Sequence, residues 1–321
     1  VTVSEKRAAV VYNPIKVDED ALRSLIADAQ QAEGWGETLW FATTEDEPGT
    51  SQAIEAIAQG ATVVLAAGGD GTVRCVAQGL HNTDVPLCLL PSGTGNLLAR
   101  NLELSLDLAQ SVTTAFTGED RTIDVGIVEA ERADGTRESF TFLVMAGVGL
   151  DAQMLQNTNP ELKKRVGWLA YVDAIARSLK GNGRIRLRFS VDGSTPRAMT
   201  AHTVLIGNCG TLPGNLLLLP DALVDDGVLD VVALRPQGLI GWVQIWVKVV
   251  WENGVLRRSQ VGRKMLSYTK EVRTLRYMRG KKFVARLSRP EEFELDGDPF
   301  GTAVALKARV DPLSMKIRVP A

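Results

Sequence analysis

Ala66-Ala67-Gly68-Gly69-Asp70-Gly71-Thr72-Val73 follows directly on the apolar run Thr62-Val63-Val64-Leu65, and its reading decides the fold. A short apolar run, a cluster of glycines and then a helix-compatible stretch from Val73 to Leu80 read as a buried strand, a tight turn and a helix N-terminus. Such a turn suits phosphate. Backbone N–H groups point into the gap, the helix dipole favours an anion, and the missing side chains allow close approach. An ordinary strand-to-helix turn is the plain alternative. Asp70 argues against it, because a carboxylate inside the loop repels a bare phosphate unless a cation such as Mg²⁺ lies between them.

Working outward, the same alternation repeats. Ala8 to Tyr12 reads as a strand ended by Asn13-Pro14, and Asp18 suits the N-cap of a helix running to about Ala32 and closed by Gly34. Thr38 to Phe41 is strand-like, a short helix ends at Gly60, and Pro86 to Leu90 leads into Pro91-Ser92-Gly93-Thr94-Gly95-Asn96 and a helical run from Leu97. This pattern predicts an α/β domain with a parallel sheet covered by helices, with ligands at the carboxyl ends of its strands. Asn13, Thr44, Gly68 to Thr72 and Ser92 to Asn96 are therefore expected at one edge. After Gly118 strand-like segments dominate: Ile123–Val128, Ser139–Met145, Arg184–Val191, Thr203–Ile206, Val228–Leu234, Phe283–Leu287 and Ala303–Val310. Two helical stretches interrupt them, Leu162–Leu179 and Leu239–Trp251. The expectation is a nucleotide-binding domain over residues 1–124, with 308–321 as its candidate completion. A mainly antiparallel β-sandwich for the substrate follows over 125–307, with a cleft between the two.

Composition fits two ordinary globular domains: 321 residues, 45% hydrophobic and 23% charged. The net charge of −2 hides an uneven distribution. Residues 1–60 carry eleven carboxylates against four Lys or Arg, whereas Arg257 to Arg289 holds twelve basic residues and the single acid Glu271. Such a segment can meet ATP, an anionic membrane or nucleic acid, or can be a solvated strand face. Three scattered cysteines and two histidines argue for a reducing compartment and against a histidine-rich metal centre. No apolar run approaches the roughly 18 residues that span a bilayer. A cytoplasmic protein is expected, touching a membrane from its inner face.

Ser92-Gly93-Thr94-Gly95-Asn96 is a second small-residue loop whose hydroxyls and amides can hold further phosphate oxygens. Neither loop contains the Gly-Lys-Ser/Thr of a P-loop or the Gly-x-Gly-x-x-Gly of a dinucleotide fold, which disfavours those classes. Gly68-Gly69-Asp70-Gly71-Thr72, with Ser92-Gly93-Thr94-Gly95-Asn96 some twenty residues later, resembles the diacylglycerol kinase catalytic family, which includes bacterial lipid kinases and sphingosine and ceramide kinases. The likeness extends to Asn13-Pro14, Thr44-Glu45, Ile123-Asp124-Val125-Gly126, Gly147 to Ala152, Asp225 to Asp230 and Leu295-Asp296-Gly297-Asp298.

That resemblance implies an N-terminal fold shared with NAD kinases, a C-terminal β domain and ATP-dependent phosphorylation of a lipid hydroxyl. Asp296 would be the general base. Asp298 stands where the family usually has Glu, and its shorter arm bears on metal contact. Asp70 and Asp124 would orient the catalytic Mg²⁺ with Asp298, partly through water. Asp225, Asp226 and the Val228 carbonyl would form a second, structural Mg²⁺ site; a plain turn is the alternative. The chain departs from the family at Leu97, often Asp, and at Ile15-Lys16, where Ser-Gly or Gly-Gly is common. Lys16 either meets phosphate or is solvated.

The Trp242, Trp246 and Trp251 stretch is either core or membrane-facing, with Trp168 and Tyr171 as a rival lipid entrance. The expected partner is a lipid at a membrane surface, with diacylglycerol or a related lipid as acceptor. No nucleic-acid partner is expected, and a homodimer stays open. An NAD kinase-like enzyme and a non-catalytic nucleotide-binding regulator are the competing readings.

Overall fold

The computed structural model describes residues 6–149, 184–212, 216–235 and 275–321. The expected helices at Leu162–Leu179 and Leu239–Trp251, the tryptophans within them and the basic run from Arg257 to residue 274 lie outside the described residues. The chain divides into two compact units, residues 1–125 with 311–321, and residues 126–310.

In the first unit, β1 (Ala8–Tyr12) pairs in parallel with β2 (Leu39–Ala42) and β3 (Val63–Gly68), and β3 pairs in parallel with β4 (Leu87–Pro91). β1 and β3 are buried at every position, as expected of parallel strands covered on both faces. Helix α1 (Glu19–Glu33) packs beside α5 (Leu108–Thr117). On these two, Leu22, Ile26, Val112 and Phe116 meet Ala8, Val10, Leu65 and Leu90 of the strands. Helices α2 (Thr50–Ala58) and α3 (Asp70–Leu80) form a second packed pair. Asp18 caps α1 by accepting the Ala21 N–H at 3.1 Å, and Gly34 ends it in the left-handed region at φ +65°. The helical run from Leu97 is a short α4 (Leu97–Asn101). α5 follows on its own cap, Asp107, which accepts the Gln110 N–H at 2.9 Å.

The second unit is antiparallel. β7 (Met145–Val148), β10 (Thr203–Gly207), β13 (Leu229–Leu234) and β14 (Leu275–Gly280) pair in that order. Two short strands, β11 (Thr211–Leu212) and β12 (Leu216–Leu217), pair apart from these. A second group contains β5 (Glu119–Glu131) with β6 (Arg137–Phe142), and β8 (Ile185–Val191) with β9 (Arg197–Ala201). The long strand β15 (Lys282–Leu295) joins the groups. Phe283 to Leu287 pair with β8, Phe293 to Leu295 pair with β7, and a register shift falls between Arg286 and Glu291. On its other edge β15 pairs with β16 (Asp298–Val319). Phe142, Ala146, Val204, Ile185, Leu187, Phe189, Phe283 and Phe293 fill the interior, and Phe189 stacks on Phe283 with ring centroids 5.9 Å apart. β5 and β16 each begin in one unit and end in the other.

Two of the departures from the expected element boundaries bear on the sites. β3 runs on to Gly68 and α3 begins at Asp70, three residues before Val73, so the glycine loop has almost no length of its own. Ser139 to Met145 is not one strand: β6 ends at Phe142 and β7 begins at Met145. The N–H groups of Leu143, Val144 and Met145 donate instead to one distant carboxylate.

Candidate phosphate and carboxylate sites

The first unit gathers most of the residues expected at its sheet edge. β1, β3 and β4 are neighbours in the sheet, so the segments that follow them emerge side by side. The Ser92 N–H donates to the Gly68 carbonyl at 3.1 Å, and the Leu97 N–H donates to Asp70 Oδ1 at 2.5 Å. The backbones of the two loops almost touch. A Cβ placed on Gly93 would lie 2.7 Å from Gly69 Cα, and one on Gly95 would collide with the Asp70 carboxylate. Gly68 is crowded in turn by Thr72, whose side chain would lie 2.6 Å from a Cβ there. Glycine is thus required by space, and the result is two stretches of bare backbone facing each other. Gly71 lies in the first turn of α3, whose N-cap residue Gly69 offers no side chain to the helix amides.

Asn96 takes the left-handed conformation at φ +48° and braces its own loop. Its Oδ1 accepts the Gly93 N–H at 3.1 Å, and its Nδ2 donates to the Gly93 carbonyl at 2.9 Å. Ser92 Oγ donates to the Leu90 carbonyl at 3.1 Å, and Thr94 is exposed. The Asn13 N–H donates to the Ala67 carbonyl at 2.9 Å, and the Asn13 carbonyl accepts the Lys16 N–H at 3.0 Å. This turn brings the Lys16 ammonium against the glycine loop, where a Cβ on Gly69 would lie 2.7 Å from Nζ. The sequence left Lys16 between two roles; its placement beside Gly69 favours an anion. Thr44 lies after β2, exposed, with Oγ1 accepting the Glu47 N–H at 3.0 Å in a local turn. Asp124, on β5, is fully buried and its Oδ1 accepts the Leu313 N–H at 2.8 Å.

The second unit holds Asp296, Asp298 and a residue that sequence reading missed. Asp296 and Gly297 link Leu295 to its cross-strand partner Asp298, both with positive φ, +51° and +91°. A two-residue Asp-Gly turn of this kind is the preferred hairpin connection. The Asp296 side chain does more than form a turn. Its Oδ2 accepts the Leu143 N–H at 2.9 Å, and its Oδ1 accepts the Val144 and Met145 N–H groups at 2.8 and 2.9 Å. The Asp296 N–H donates to the Met145 carbonyl at 2.9 Å. These bonds explain why Leu143 and Val144 leave the strand ladder. Asp298 is half-buried.

Two residues before Asp296, Glu294 is 2% exposed, and its Oε2 has no hydrogen-bond partner among the described residues. Gly147 makes room for it, since a Cβ there would lie 2.8 Å from Glu294 Oε1. Burial, reinforced by the charges of Asp296 and Asp298, pushes the Glu294 carboxyl up to about 7. Glu294 sits in the alternating run Phe293-Glu294-Leu295, which by itself reads as a half-solvated strand. Only the packing of β7 against it marks it as a buried acid.

Asp225, Asp226 and Val228 form the turn before β13, with Gly227 at φ +72°. Asp226 Oδ1 accepts the Val228 N–H at 3.2 Å, and Asp226 also pairs with Arg279. Arg279 reaches Asp230 at 3.3 Å as well. This guanidinium therefore supplies the positive charge that a structural cation would bring to Asp226, and a metal there would compete with it. Among the described residues no three of His, Cys, Asp and Glu are grouped closely enough to hold a metal ion by themselves. A nucleotide-borne Mg²⁺ needs less: one or two carboxylates, with phosphate oxygens and water completing six oxygen ligands. Asp70 beside two bare glycine loops fits that demand.

Comparison with known proteins matches both parts of the chain to described domains. Residues 7–128 match the diacylglycerol kinase catalytic domain, and residues 144–264 match the YegS C-terminal NAD kinase beta sandwich-like domain. The chain is 32% identical over 254 residues to a Pseudomonas fluorescens protein named "Probable lipid kinase YegS-like", covering 74% of this chain and 77% of that one. It is 28% identical over 269 residues to the diacylglycerol kinase of Bacillus subtilis, covering 83% and 84%. Among solved structures, a diacylglycerol kinase of Bacillus anthracis superposes with a TM-score of 0.66 at 17% identity, covering 99% of this chain and 98% of that one. Yeast NADH kinase superposes at 0.57 and 11%, covering 100% and 85%. These two likenesses speak to the fold, which is NAD kinase-like. Matching domains over both units and a relative this similar over three quarters of its length place the chain in the diacylglycerol kinase catalytic family, among its YegS-like members.

Proposed function

We propose that this protein is a lipid kinase that transfers the γ-phosphate of ATP, bound as its Mg²⁺ complex, to a lipid hydroxyl, with diacylglycerol or a related lipid as acceptor. The observation that carries this reading is the close approach of the Gly69 and Gly93 backbones, with the Lys16 ammonium on one side and the Asp70 carboxylate on the other. Bare backbone and an ammonium favour phosphate oxygens. A carboxylate in the same place favours a phosphate that carries a metal. Asp70 would hold the Mg²⁺, and the family resemblance adds Asp124 and Asp298. The metal, when bound, supplies charge neutralisation on the phosphate oxygens.

Asp296 is the proposed proton acceptor. Three backbone N–H donors fix its carboxylate, so its orientation is set before substrate arrives. The acceptor hydroxyl gives its proton to Asp296. Its oxygen then forms the new bond to phosphorus as the bond to the bridging oxygen of ADP breaks. The proposed setting is a membrane surface, because the acceptor is a lipid.

The test is incubation with labelled ATP, Mg²⁺ and a panel of extracted lipids, with NAD⁺ as a separate acceptor. Label in the organic phase is the expected result. Label on NAD⁺ alone would shift the reading to an NAD kinase-like enzyme. Tight ATP binding with no labelled acceptor would overturn it in favour of a non-catalytic nucleotide-binding protein.

A further inference from the structure

Two strands of the second unit leave their ladder at the same point. β7 and β10 pair from Val148 opposite Val204 to Met145 opposite Gly207, and there the pairing stops. Leu143 and Val144 precede β7, and Asn208 and Cys209 follow β10. All four are buried, Asn208 completely. Backbone groups buried outside a ladder need other partners. The N–H groups of Leu143, Val144 and Met145 find theirs in Asp296. The carbonyls of Leu143 and Val144 find theirs in Asn208 and Cys209.

Asn208 Nδ2 donates to the Leu143 carbonyl at 3.1 Å, and the Asn208 backbone N–H donates to the Val144 carbonyl at 2.9 Å. Cys209 adds its N–H to the Val144 carbonyl at 3.1 Å and its Sγ to the Leu143 carbonyl at 3.5 Å. The peptide unit joining Leu143 to Val144 thus accepts from the Asn208 side chain at its oxygen and donates from its nitrogen to Asp296 Oδ1. The unit joining Val144 to Met145 does the same with the Asn208 backbone. A donor at the carbonyl end of a peptide polarises it, and its N–H becomes a stronger donor. Asp296 Oδ1 therefore ends two short relays that both begin at Asn208.

The turn that carries Asn208 is itself fixed. A Cβ on Gly207 would collide with Leu219 Cδ1, and one on Gly210 would lie 2.5 Å from the Leu219 carbonyl oxygen. The Leu218 and Leu219 N–H groups donate to the Gly210 carbonyl at 3.1 and 3.2 Å. A carboxylate close to other acids gains most from strong donors, and the charge of Asp296 reaches the buried Glu294. Satisfying one buried carbonyl would need only the side-chain bond. Here the side chain and the backbone of one residue stand behind both amides that hold the same carboxylate oxygen.

We propose that Asn208 is the positioning residue of the proton acceptor, orienting Asp296 through the two peptide units between Leu143 and Met145. The proposal rests on the reading of Asp296 given above.

The experiment compares the parent with Asn208→Ala, using labelled ATP, Mg²⁺ and a lipid extract in neutral detergent micelles. Loss of the side-chain relay should lower kcat by at least about tenfold, as expected when a reacting group is misplaced. The KM for ATP should keep its parental value, because the glycine cradle belongs to the other unit. Phe189→Leu, a core change on β8 of the same unit, controls for lost stability and should retain the parental kcat. In ¹⁵N-labelled protein the Val144 amide proton should move upfield in Asn208→Ala and stay in place in Phe189→Leu. Should the alanine variant not fold, the parent decides by itself. A scalar coupling across the hydrogen bond from Asn208 Nδ2 to the Leu143 carbonyl carbon is expected, and its absence would overturn the proposal. So would a kcat that falls no further than in Phe189→Leu, a raised KM for ATP with unchanged kcat, or an unmoved Val144 amide proton. If the parent labels no lipid while the Val144 proton moves as described, the kinase reading fails and Asn208 stands as the residue that orients the Asp296 carboxylate.

Discussion

Asp70 and Asp296 both sit beside glycine at the end of a strand, yet they are held in opposite ways. Asp70 opens a helix within a contiguous strand, loop and helix, and the Leu97 amide that donates to it opens α4, directly after the neighbouring loop of the same unit. Asp296 occupies a hairpin turn, and its carboxylate is held by three amides from Leu143 to Met145, about 150 positions earlier. The first arrangement needs only local chain geometry and small residues. The second exists only when two distant segments have already met. A phosphate cradle can therefore be written as a short motif, whereas a fixed carboxylate is a product of tertiary structure.

Substitutions can break this contrast, and Asp296→Asn should have the largest effect. Loss of a positioned proton acceptor is expected to slow transfer by about 10²–10⁴-fold with ATP affinity retained. The same change costs about 1–3 kcal/mol of stability, because an amide nitrogen cannot accept the buried N–H that the lost carboxylate oxygen held. Single-turnover transfer and urea unfolding on one preparation separate the two. A rate that falls only in step with the folded fraction would make Asp296 purely architectural.

Glu294 sharpens the same side of the comparison through pH. Its carboxyl is raised from 4.5 to about 7 in the folded protein, so the folded state holds a proton that the unfolded chain releases. Stability from this group is fully present below 4.5 and is lost as pH rises to about 7. The loss is at most roughly 3 kcal/mol, since each tenfold difference in proton affinity between the folded and unfolded states is worth about 1.4 kcal/mol. Urea midpoints measured across that range should fall with rising pH in the parent and stay flatter in Glu294→Gln. An identical slope in both would show that Glu294 does not titrate there.

On the phosphate side, Gly93→Ala places a Cβ 2.7 Å from Gly69 Cα, a backbone atom that cannot step aside. The loops must separate, at about 1–3 kcal/mol, and ATP affinity measured by calorimetry should fall with them. Lys16→Met is the mildest change. It should weaken ATP binding about fivefold, the value of roughly one charge-assisted contact, and leave unfolding unchanged. Unaltered ATP binding in both variants would remove the cradle from the nucleotide site.

Much of the first unit was legible from residue order, because parallel strands buried on both faces leave continuous apolar runs and helices carry visible caps. Asp18 and Gly34 bracket α1 where the side-chain chemistry requires. The start of α3 was misplaced by three residues because Asp70, Gly71 and Thr72 are weak helix formers that an N-terminal position tolerates. In the second unit most of the longer strands were found but not their breaks, and β9, β11, β12 and β14 were not anticipated. Ser139 to Met145 carries a single β pattern, and its interruption at Leu143 and Val144 is imposed by Asp296, which no local signal announces. The β9 strand was missed because Arg197 to Ala201 lacks the aromatic and β-branched density that marks a strand, and it forms by pairing with β8.

What residue order determined by itself was the alternation of elements, the two glycine loops and the family likeness, since each rests on local backbone preferences and on side chains too small to block a close approach. Tertiary structure alone decided that the Gly69 and Gly93 backbones face each other with Lys16 beside them, and that Asp296 is pinned by the amides of a distant strand break. It also decided that Glu294 Oε2 is buried without a hydrogen-bond partner among the described residues, and that Arg188 and Arg286 confront one another across a strand pair. The reason is common to all four. Burial, close approach and opposed charge are relations between segments far apart in the chain, and they have no value until the chain has folded.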